Sequence, residues 1–281
     1  MDPIKFYTLI TGASDGFGKA LAIECARRKM NLVLVALPGP ELSNLAGFIQ
    51  KNFLVDVKTF EKDLTNEADC YDLHLDILFL DLRINILINN AGIGNTQLFT
   101  ETSPEFLKRQ IKLNVMATTL LTSLFIPELK KHGPAYLLNI GSLSSFFYLP
   151  KKQVYGATKS FIYFFSKCLR RELKQENISV SVACPGGMNT NFSVSLINRT
   201  TNFISRISIL NPEKVAPIVI GKMLKGKAVI VPGRMNQFSM LLNKLLPSCI
   251  KNIMTAKLMN DLKPSPLSSV TIRKDPSYKA A

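Results

Sequence analysis

The sequence has few residues that bind metals. It contains two histidines, His74 and His132, and five scattered cysteines with no C-x-x-C pair, so zinc-finger and haem-attachment sites lack their ligands and we expect no metal. An odd number of isolated thiols is typical of a reducing compartment, which predicts a cytoplasmic location. No run of about 18 apolar residues occurs, and residues 1–10 lack the charged start and apolar core of a secretory signal. The sequence therefore predicts neither a membrane span nor a leader.

The charge balance is strongly basic. Of 281 residues, 47% are hydrophobic and 20% charged, as in one globular domain with a modest extension. The chain holds 35 Lys and Arg against 20 Asp and Glu, a formal net charge of +15. Such proteins often bind nucleic acid, anionic lipid or acidic metabolites. The excess is concentrated in residues 221–281 without aromatic interleaving, so we expect no nucleic-acid partner.

Short apolar runs alternate with helix-like stretches. The pattern predicts strands at residues 6–10, 31–36, 55–60, 85–88, 135–140 and 179–183. It predicts helices at residues 16–29, 41–52, 66–82, 103–131 and 152–177. Apolar strands separated by helices indicate an α/β fold, a single doubly wound Rossmann-type domain with a mostly parallel sheet and helices on both faces. In such a sheet the ligand lies beyond the carboxyl ends of the strands.

A glycine-rich turn, Thr11–Gly18, follows the first predicted strand and opens the first helix. Glycine accepts backbone angles closed to other residues, and a helix N-terminus attracts a pyrophosphate. The candidate cofactor-binding residues here are Gly12, Ser14, Asp15, Gly16, Phe17 and Gly18. The second strand ends in Ala36-Leu37 with no charged residue to select between a ribose hydroxyl and a 2′-phosphate. NAD and NADP both remain open, and the net positive charge favours NADP slightly.

Three polar side chains after the fifth strand predict proton-transfer chemistry. Ser142 follows that strand, and Tyr155 and Lys159 share one face of the next helix at i,i+4 spacing. A nearby ammonium lowers the pKa of a phenol, which then exchanges a proton with a carbonyl oxygen as hydride arrives or leaves. The same spacing recurs in Tyr148/Lys152 and Tyr163/Lys167; the first pair straddles Pro150, and the second lies two turns further along the helix. Pro150 argues against one continuous helix for the first pair, and we interpret the second pair as structural.

Together these motifs resemble the classical short-chain dehydrogenase/reductase family. The similarity covers residues 6 to about 192 and includes Asp63-Leu64, Asn89–Gly92 and the Pro185-Gly186 loop with Thr190. It implies a catalytic tetrad of Asn114, Ser142, Tyr155 and Lys159. The resemblance also implies further cofactor contacts at Asp63, Leu64, Asn90, Ala91, Gly92, Tyr155, Lys159, Pro185, Gly186, Met188 and Thr190.

The resemblance implies a role for each residue of the tetrad. Tyr155 is the acid/base, Ser142 orients the carbonyl, Lys159 holds the nicotinamide ribose and lowers the pKa of Tyr155, and Asn114 holds a water that relays protons. At the adenosine end, Asp63 contacts the adenine and Asn90–Gly92 line the ribose. The missing charged selector at Ala36-Leu37 departs from the family pattern.

The expected domain layout is a catalytic domain over residues 1–235, with a substrate lid at about 188–212, and a basic extension over 236–281 whose final part is flexible. Residues 236–258 fit either an amphipathic segment on an anionic membrane or a helix packed on the fold and interrupted at Pro247. The second interpretation is favoured.

We expect an NAD(P)-dependent oxidoreductase that interconverts a carbonyl and a secondary alcohol. Phe146 to Leu149, Met188 and Phe192 suit an apolar or acyl-type small-molecule substrate such as a 3-oxoacyl group. Two alternatives remain: a non-catalytic dinucleotide sensor or scaffold, and a membrane-surface lipid carbonyl reductase. The resemblance also implies a homodimer or homotetramer.

Overall fold

Strands and helices alternate along the chain, as the sequence predicts. The computed structural model describes residues 5–188 and 210–245. The strands are β1 (Phe6–Thr11), β2 (Asn31–Ala36), β3 (Val57–Glu61), β4 (Arg83–Asn89), β5 (Ala135–Ile140), β6 (Ile178–Ala183) and β7 (Val229–Ile230). The helices are α1 (Gly16–Arg27), α2 (Pro40–Phe53), α3 (Glu67–Phe79), α4 (Pro104–Ile111), α5 (Thr118–Lys131), α6 (Gln153–Glu172), α7 (Pro212–Leu224) and α8 (Arg234–Leu245).

The strands form one seven-stranded sheet in the order β3-β2-β1-β4-β5-β6-β7, and every neighbouring pair is parallel. The order reverses between β1 and β4, which is where a doubly wound sheet leaves a crevice for a ligand. This arrangement confirms the predicted Rossmann-type fold. It brings the turn after β1 next to the loop after β4.

Helices cover both faces of the sheet. On one face α1 and α2 bury apolar side chains against β1 and β2, and α7 packs against α1, β5 and β6, with Leu21, Ile49 and Val219 fully buried. On the other face α3, α5 and α6 pack over β1, β4 and β5, with Leu73 and Phe125 fully buried. Burial on two faces explains why the central strands are almost continuously apolar.

Local signals set the helix ends. The Ser103 hydroxyl accepts a hydrogen bond from the Phe106 amide at 3.2 Å, and Asn66 caps α3 through the Ala68 amide at 3.2 Å. Proline occupies the first position of α2, α4 and α7, where its missing N–H costs nothing. No helix within the described ranges combines the length and apolar character needed to cross a bilayer.

The continuous helix predicted over residues 103–131 is wrong in one respect. The chain forms α4, then a π-helical turn over Lys112–Ala117, and then α5. The π turn holds Asn114 buried between the loop after β4 and α6, so tertiary hydrogen bonds override the regular helical pattern there. Such turns are frequent at functional sites.

Candidate active site

The glycine-rich turn keeps its backbone open beside the N-terminus of α1. Gly12 and Gly16 have φ values of +63° and +56°, in the left-handed region that favours glycine. A Cβ at Gly18 would overlap the carbonyl oxygen of Gly12, so only glycine fits where α1 packs on the turn. The free amides of the first turn of α1 therefore face the crevice, as a pyrophosphate site requires.

Hydrogen bonds tie this turn to the end of β4. The Thr11 hydroxyl accepts from the backbone amides of Asn90 and Ala91, both at 3.0 Å. The Asn90 side-chain amide donates to the carbonyls of Thr11 and Gly12, also at 3.0 Å. Asn90 thus positions the turn from across the crevice. The contribution of Thr11 was not predicted from the sequence.

The adenosine end of the crevice lies beyond β2 and β3. Ala36 and Leu37 supply no charge, but Ala36 pairs in register with Glu61 of β3. The Glu61 carboxylate accepts a hydrogen bond at 3.3 Å from the Gly39 amide, just before α2. A carboxylate therefore stands beside the position where the sequence has no selector, and only the strand pairing reveals it.

Asp63 and Leu64 follow β3 at the same end of the sheet. The Asp63 side chain accepts from the amide and hydroxyl of Thr65, at 3.0 and 2.8 Å, which fixes the chain before α3. Leu64 is buried under α3. The structure places both residues at the carboxyl edge where the sequence predicts them.

The loop after β6 carries the residues that the resemblance assigns to the nicotinamide. The Leu143 amide donates to the Pro185 carbonyl at 2.7 Å, which joins this loop to the one after β5. A Cβ at Gly186 would lie 2.7 Å from Nδ2 of Asn236, so α8 closes on the loop at a glycine. The Leu210 amide donates to the Gly187 carbonyl at 3.0 Å, and Met188 bridges to Leu210. The two ends of the predicted lid therefore meet, whereas Thr190 and Phe192 lie outside the described residues.

Tyr155 and Lys159 lie side by side on the first turns of α6. The Lys159 Nζ is 5.9 Å from the centre of the Tyr155 ring and donates a hydrogen bond to the Ile140 carbonyl at 2.8 Å. Lys159 is only 5% exposed, and this burial lowers its pKa from 10.5 to about 8, while the nearby Cys184 acts in the opposite direction. The amine stands at the end of β5, facing the crevice.

Burial raises the pKa of the Tyr155 phenol, and a hydrogen bond with the Ser142 side chain acts against that rise. The expectation that Lys159 makes this phenol acidic is therefore wrong for the protein alone. The physical reason is that the phenolate loses more hydration in this buried position than its neighbours return. Burial likewise raises the pKa of the Cys184 thiol to about 12, which argues against a nucleophilic thiolate.

Asn114 joins three parts of the site. Its side chain accepts from the Ile93 amide and donates to the Ile93 carbonyl, both at 2.9 Å. It also donates to the Thr158 hydroxyl at 3.0 Å. A Cβ at Gly92 would lie 3.1 Å from Oδ1 of Asn114 and 3.3 Å from Nζ of Lys159. The four residues of the predicted tetrad are thus brought to one crevice.

Two further residues surround Tyr155 that the sequence did not indicate. A Cβ at Gly94 would lie 2.5 Å from Cδ2 of the Tyr155 ring, so the loop after β4 packs directly on this ring. The Lys152 Nζ lies 5.5 Å from the ring centre, closer than that of Lys159. Lys152 and Tyr155 are three residues apart, a spacing that carries no signal unless the helix start is known.

A depression of about 570 Å³ in the described part of the chain lies at the opposite edge of the sheet. It is lined by Ala135 and Ile178, which begin β5 and β6, and by Lys167 and Arg171 of α6. Because ligands of doubly wound sheets bind at the carboxyl ends of the strands, it is not part of the candidate site.

Comparisons with known proteins agree with this geometry. A family model described as short chain dehydrogenase matches residues 7–200. The chain is 32% identical over 184 residues to the very-long-chain 3-oxoacyl-CoA reductase of Bos taurus, and 33% identical over 184 residues to that of Mus musculus. Each match covers 64% of this chain and 58% of the relative, so the chain spans less than two thirds of the length of these reductases.

Two solved structures share the fold. A short-chain dehydrogenase from Sphingobium yanoikuyae in complex with NADPH matches with a TM-score of 0.73 and 29% identity, over 86% of this chain and 97% of that one. A bulky-bulky ketone specific alcohol dehydrogenase from Comamonas testosteroni matches with a TM-score of 0.72 and 26% identity, over 94% of this chain and 98% of that one.

Proposed function

Because this chain belongs to the short-chain dehydrogenase family, we propose that it is an NAD(P)-dependent oxidoreductase that interconverts a carbonyl and a secondary alcohol. The observation that carries the proposal is the placement of Tyr155, Lys159 and Ser142 together at the carboxyl end of β5, across the crevice from the glycine-rich turn. A sensor or scaffold needs the turn but has no use for a buried phenol beside a buried amine.

The residues of the crevice fit a dinucleotide. Gly12 and Gly18 let the turn pack closely against Asn90, Ala91 and the start of α1, which holds the backbone amides of the turn at the helix N-terminus where a pyrophosphate binds. When bound, the nicotinamide supplies or accepts the hydride. Lys159, with one proton donated to Ile140, keeps two N–H groups for the nicotinamide ribose.

Tyr155 moves the proton in this scheme. Its hydroxyl gives a proton to the carbonyl oxygen as the alcohol forms, and takes it back in the reverse direction. The Ser142 hydroxyl, which lies close enough to Tyr155 to act on the pKa of its phenol, holds the same oxygen. Asn114 positions the Ile93 backbone and α6 around them, and the water it is expected to hold connects Lys159 to solvent.

We further propose an apolar acyl substrate such as a 3-oxoacyl group. The names of the similar reductases support this class, as does the T-shaped contact of Phe146 with Tyr163, whose ring centres are 4.8 Å apart beside the loop after β5. The test mixes the full chain with NADPH or NADH and follows cofactor oxidation after a 3-oxoacyl thioester or a simple ketone is added. Cofactor oxidation that depends on substrate supports the proposal, and cofactor binding without turnover of either class would support the sensor instead.

For the cofactor we propose a preference for NADP. The net charge of +15 and the NADPH complex of the similar Sphingobium protein support it. The Glu61 carboxylate near Gly39 acts against it, because a 2′-phosphate bound at this end would meet a negative charge. The dissociation constants of NADPH and NADH test the preference: a lower value for NADPH supports it, and a lower value for NADH contradicts it.

A homodimer or homotetramer is the proposed assembly. The supporting observation is the exposed aromatic surface of α6, where Phe161 and Phe164 are 41% and 70% exposed, next to the exposed Ile111 of α4. Light scattering on the native protein and on Phe164→Asp tests it. A monomeric mass for the native chain would reject this assembly.

A cytoplasmic location is also proposed, supported by the four unpaired cysteines of the described residues. Contact with a membrane surface is the second candidate, because α8 exposes Met235, Phe238 and Leu241. Co-sedimentation of the full chain with anionic vesicles separates the two. Binding that Phe238→Glu abolishes would favour the membrane, and no binding would favour the cytoplasm.

A further inference from the structure

Lys152 is held in a fixed place beside the reactive phenol. It directly precedes α6, and the Gly156 amide donates to its carbonyl at 2.7 Å. The preceding residue is pinned as well, because the Gln97 amide donates to the Lys151 carbonyl at 2.9 Å. The half-buried side chain brings its Nζ to 5.5 Å from the centre of the Tyr155 ring. The loop after β4 and the start of α6 together hold this amine next to Tyr155.

This position is unfavourable for a lysine. The N-terminus of a helix carries partial positive charge, which repels an ammonium group. Burial lowers the pKa of Lys152, and no carboxylate of the described residues offsets that loss. A buried cation needs a hydrogen-bonding partner to compensate for lost water. The cost of placing Lys152 here therefore points to a partner that the protein does not itself provide.

Two long segments that carry parts of the site contain no acid. No Asp or Glu occurs in residues 129–171, which run from the end of α5 through β5 to the end of α6. None occurs in residues 177–212 either, a range that includes the whole segment between the described ends of the lid and carries Arg199 and Arg206. No acid of these two ranges pairs with the Lys152 amine, which leaves it able to donate to a carbonyl oxygen of a bound molecule.

The other amine of the site is already engaged. Lys159 donates to the Ile140 carbonyl and lies against Gly92, on the cofactor side of Tyr155. Lys152 precedes Tyr155 by three residues and approaches the ring from the N-terminal end of α6, beside the loop at Gln97. Lys152 thus approaches the Tyr155 ring from the N-terminal side along α6, and Lys159 approaches it from the C-terminal side. Since Lys159 is already engaged, Lys152 is the amine that remains for the substrate.

A 3-oxoacyl group has two carbonyl oxygens. The oxygen on C3 is the one that Tyr155 and Ser142 hold in the proposed reaction, and the oxygen on C1 lies two carbons away. We propose that Lys152 donates a hydrogen bond to the C1 carbonyl oxygen and so selects 3-oxoacyl substrates over simple ketones. This inference rests on the proposed function, and it adds a specificity-determining residue to it.

The chain contains a matched control for this amine. The Lys167 Nζ lies 5.4 Å from the centre of the Tyr163 ring, which is nearly the same lysine–tyrosine geometry. Lys167 is exposed, and it lines the depression at the opposite edge of the sheet. Lys167→Met therefore removes an equivalent charge and ring contact without touching the candidate site.

The test measures kcat/KM with NADPH for a 3-oxoacyl thioester and for a methyl ketone of equal chain length that lacks the C1 carbonyl. A hydrogen bond to a charged group contributes enough that Lys152→Met should lower the ratio of the two values by about 10- to 100-fold. Lys152→Arg, which keeps a donor, should recover most of the ratio, and Lys167→Met should leave it unchanged. Unchanged NADPH affinity shows that the variants fold.

Two results overturn the inference. A loss of equal size on both substrates would mean that Lys152 acts on Tyr155 or on the loop, and no loss on either would mean that the amine is idle. If the native protein binds NADPH but turns over neither compound, the proposed function itself fails and the inference falls with it. That outcome is seen in the native protein before any variant is made, so the two failures are distinguishable.

Discussion

The Lys159 amine lies 5.9 Å from the centre of the Tyr155 ring, one helical turn along α6. Both groups are withdrawn from water, and burial moves their pKa values in opposite senses, down for the amine and up for the phenol. Each shift disfavours the charged form. The protein alone therefore holds a neutral donor.

Lys159 should make stability depend on pH. Its pKa is lowered from 10.5 in the unfolded chain to about 8 in the folded protein, so between these values the unfolded state binds more protons. The penalty is fully present below pH 8 and relieved as the pH rises toward 10.5. The free energy of unfolding of the native protein should therefore increase across this window relative to Lys159→Met. Denaturant titrations of both proteins check this, and a difference independent of pH would contradict it.

Gly18→Ala should disrupt cofactor binding. The new Cβ would overlap the Gly12 carbonyl oxygen, so the turn must shift away from the N-terminus of α1. We expect the dissociation constant of the dinucleotide to rise at least tenfold, roughly the loss of one charge-assisted hydrogen bond. Gly47→Ala is the control, because a Cβ there meets nothing within 4 Å and alanine favours its helix α2. Equal affinities for the two variants would refute the role of the turn.

Glu61→Lys should favour NADPH. The carboxylate stands beside Gly39, at the end of the crevice where the sequence lacks a selector, and a lysine there would attract a 2′-phosphate. The ratio of NADH to NADPH dissociation constants should rise on the order of tenfold. Glu172→Lys, an equal charge change on the exposed last turn of α6, should leave the ratio unaltered. If Glu172→Lys raised the ratio as much as Glu61→Lys does, the effect would come from net charge, and the role of Glu61 would be contradicted.

Asn114→Leu should damage both stability and turnover. It leaves the Ile93 amide without its 2.9 Å partner, which costs about 1–3 kcal/mol if no other group satisfies it, and the Ile93 carbonyl keeps only the 3.2 Å bond from the Gln110 side chain. Thr158→Val removes the 3.0 Å bond from Asn114 and the 2.8 Å bond that the Thr158 hydroxyl donates to the Tyr155 carbonyl within α6, but it leaves both Ile93 bonds in place and should cost less. Thermal unfolding and kcat measure the two effects. Similar losses in both variants would show that the Ile93 bonds contribute little.

Much of the fold could be predicted because its signals are local. The apolar runs at 31–36 and 135–140 match β2 and β5 in both bounds, since each strand is buried on both faces and ends at polar or turn residues. The predicted start of α6 is also close: the helix begins at Gln153, after Lys151, whose φ of +64° is not helical. The exposed Tyr148 lies outside that helix, as predicted.

Other features depend on tertiary contacts and leave no periodic signal. β7 has only two residues and is defined by its pairing with β6. α7 contains Pro217, and a proline inside a sequence segment predicts the end of a helix. The approach of Glu61 to Gly39 depends on strand pairing, and that of Lys152 to Tyr155 depends on where α6 begins. The predicted acidity of Tyr155 was wrong because spacing reveals the amine but not the burial.

Tyr155→Phe tests the central claim most directly, because it removes one hydroxyl and leaves the ring packed against Gly94. The measurement is single-turnover oxidation of bound NADPH by a 3-oxoacyl thioester, with NADPH affinity determined on the same samples. We expect the rate to fall roughly 100- to 10,000-fold while the dissociation constant of NADPH stays nearly the same. A rate close to that of the native protein would contradict the assignment of Tyr155 as the proton donor.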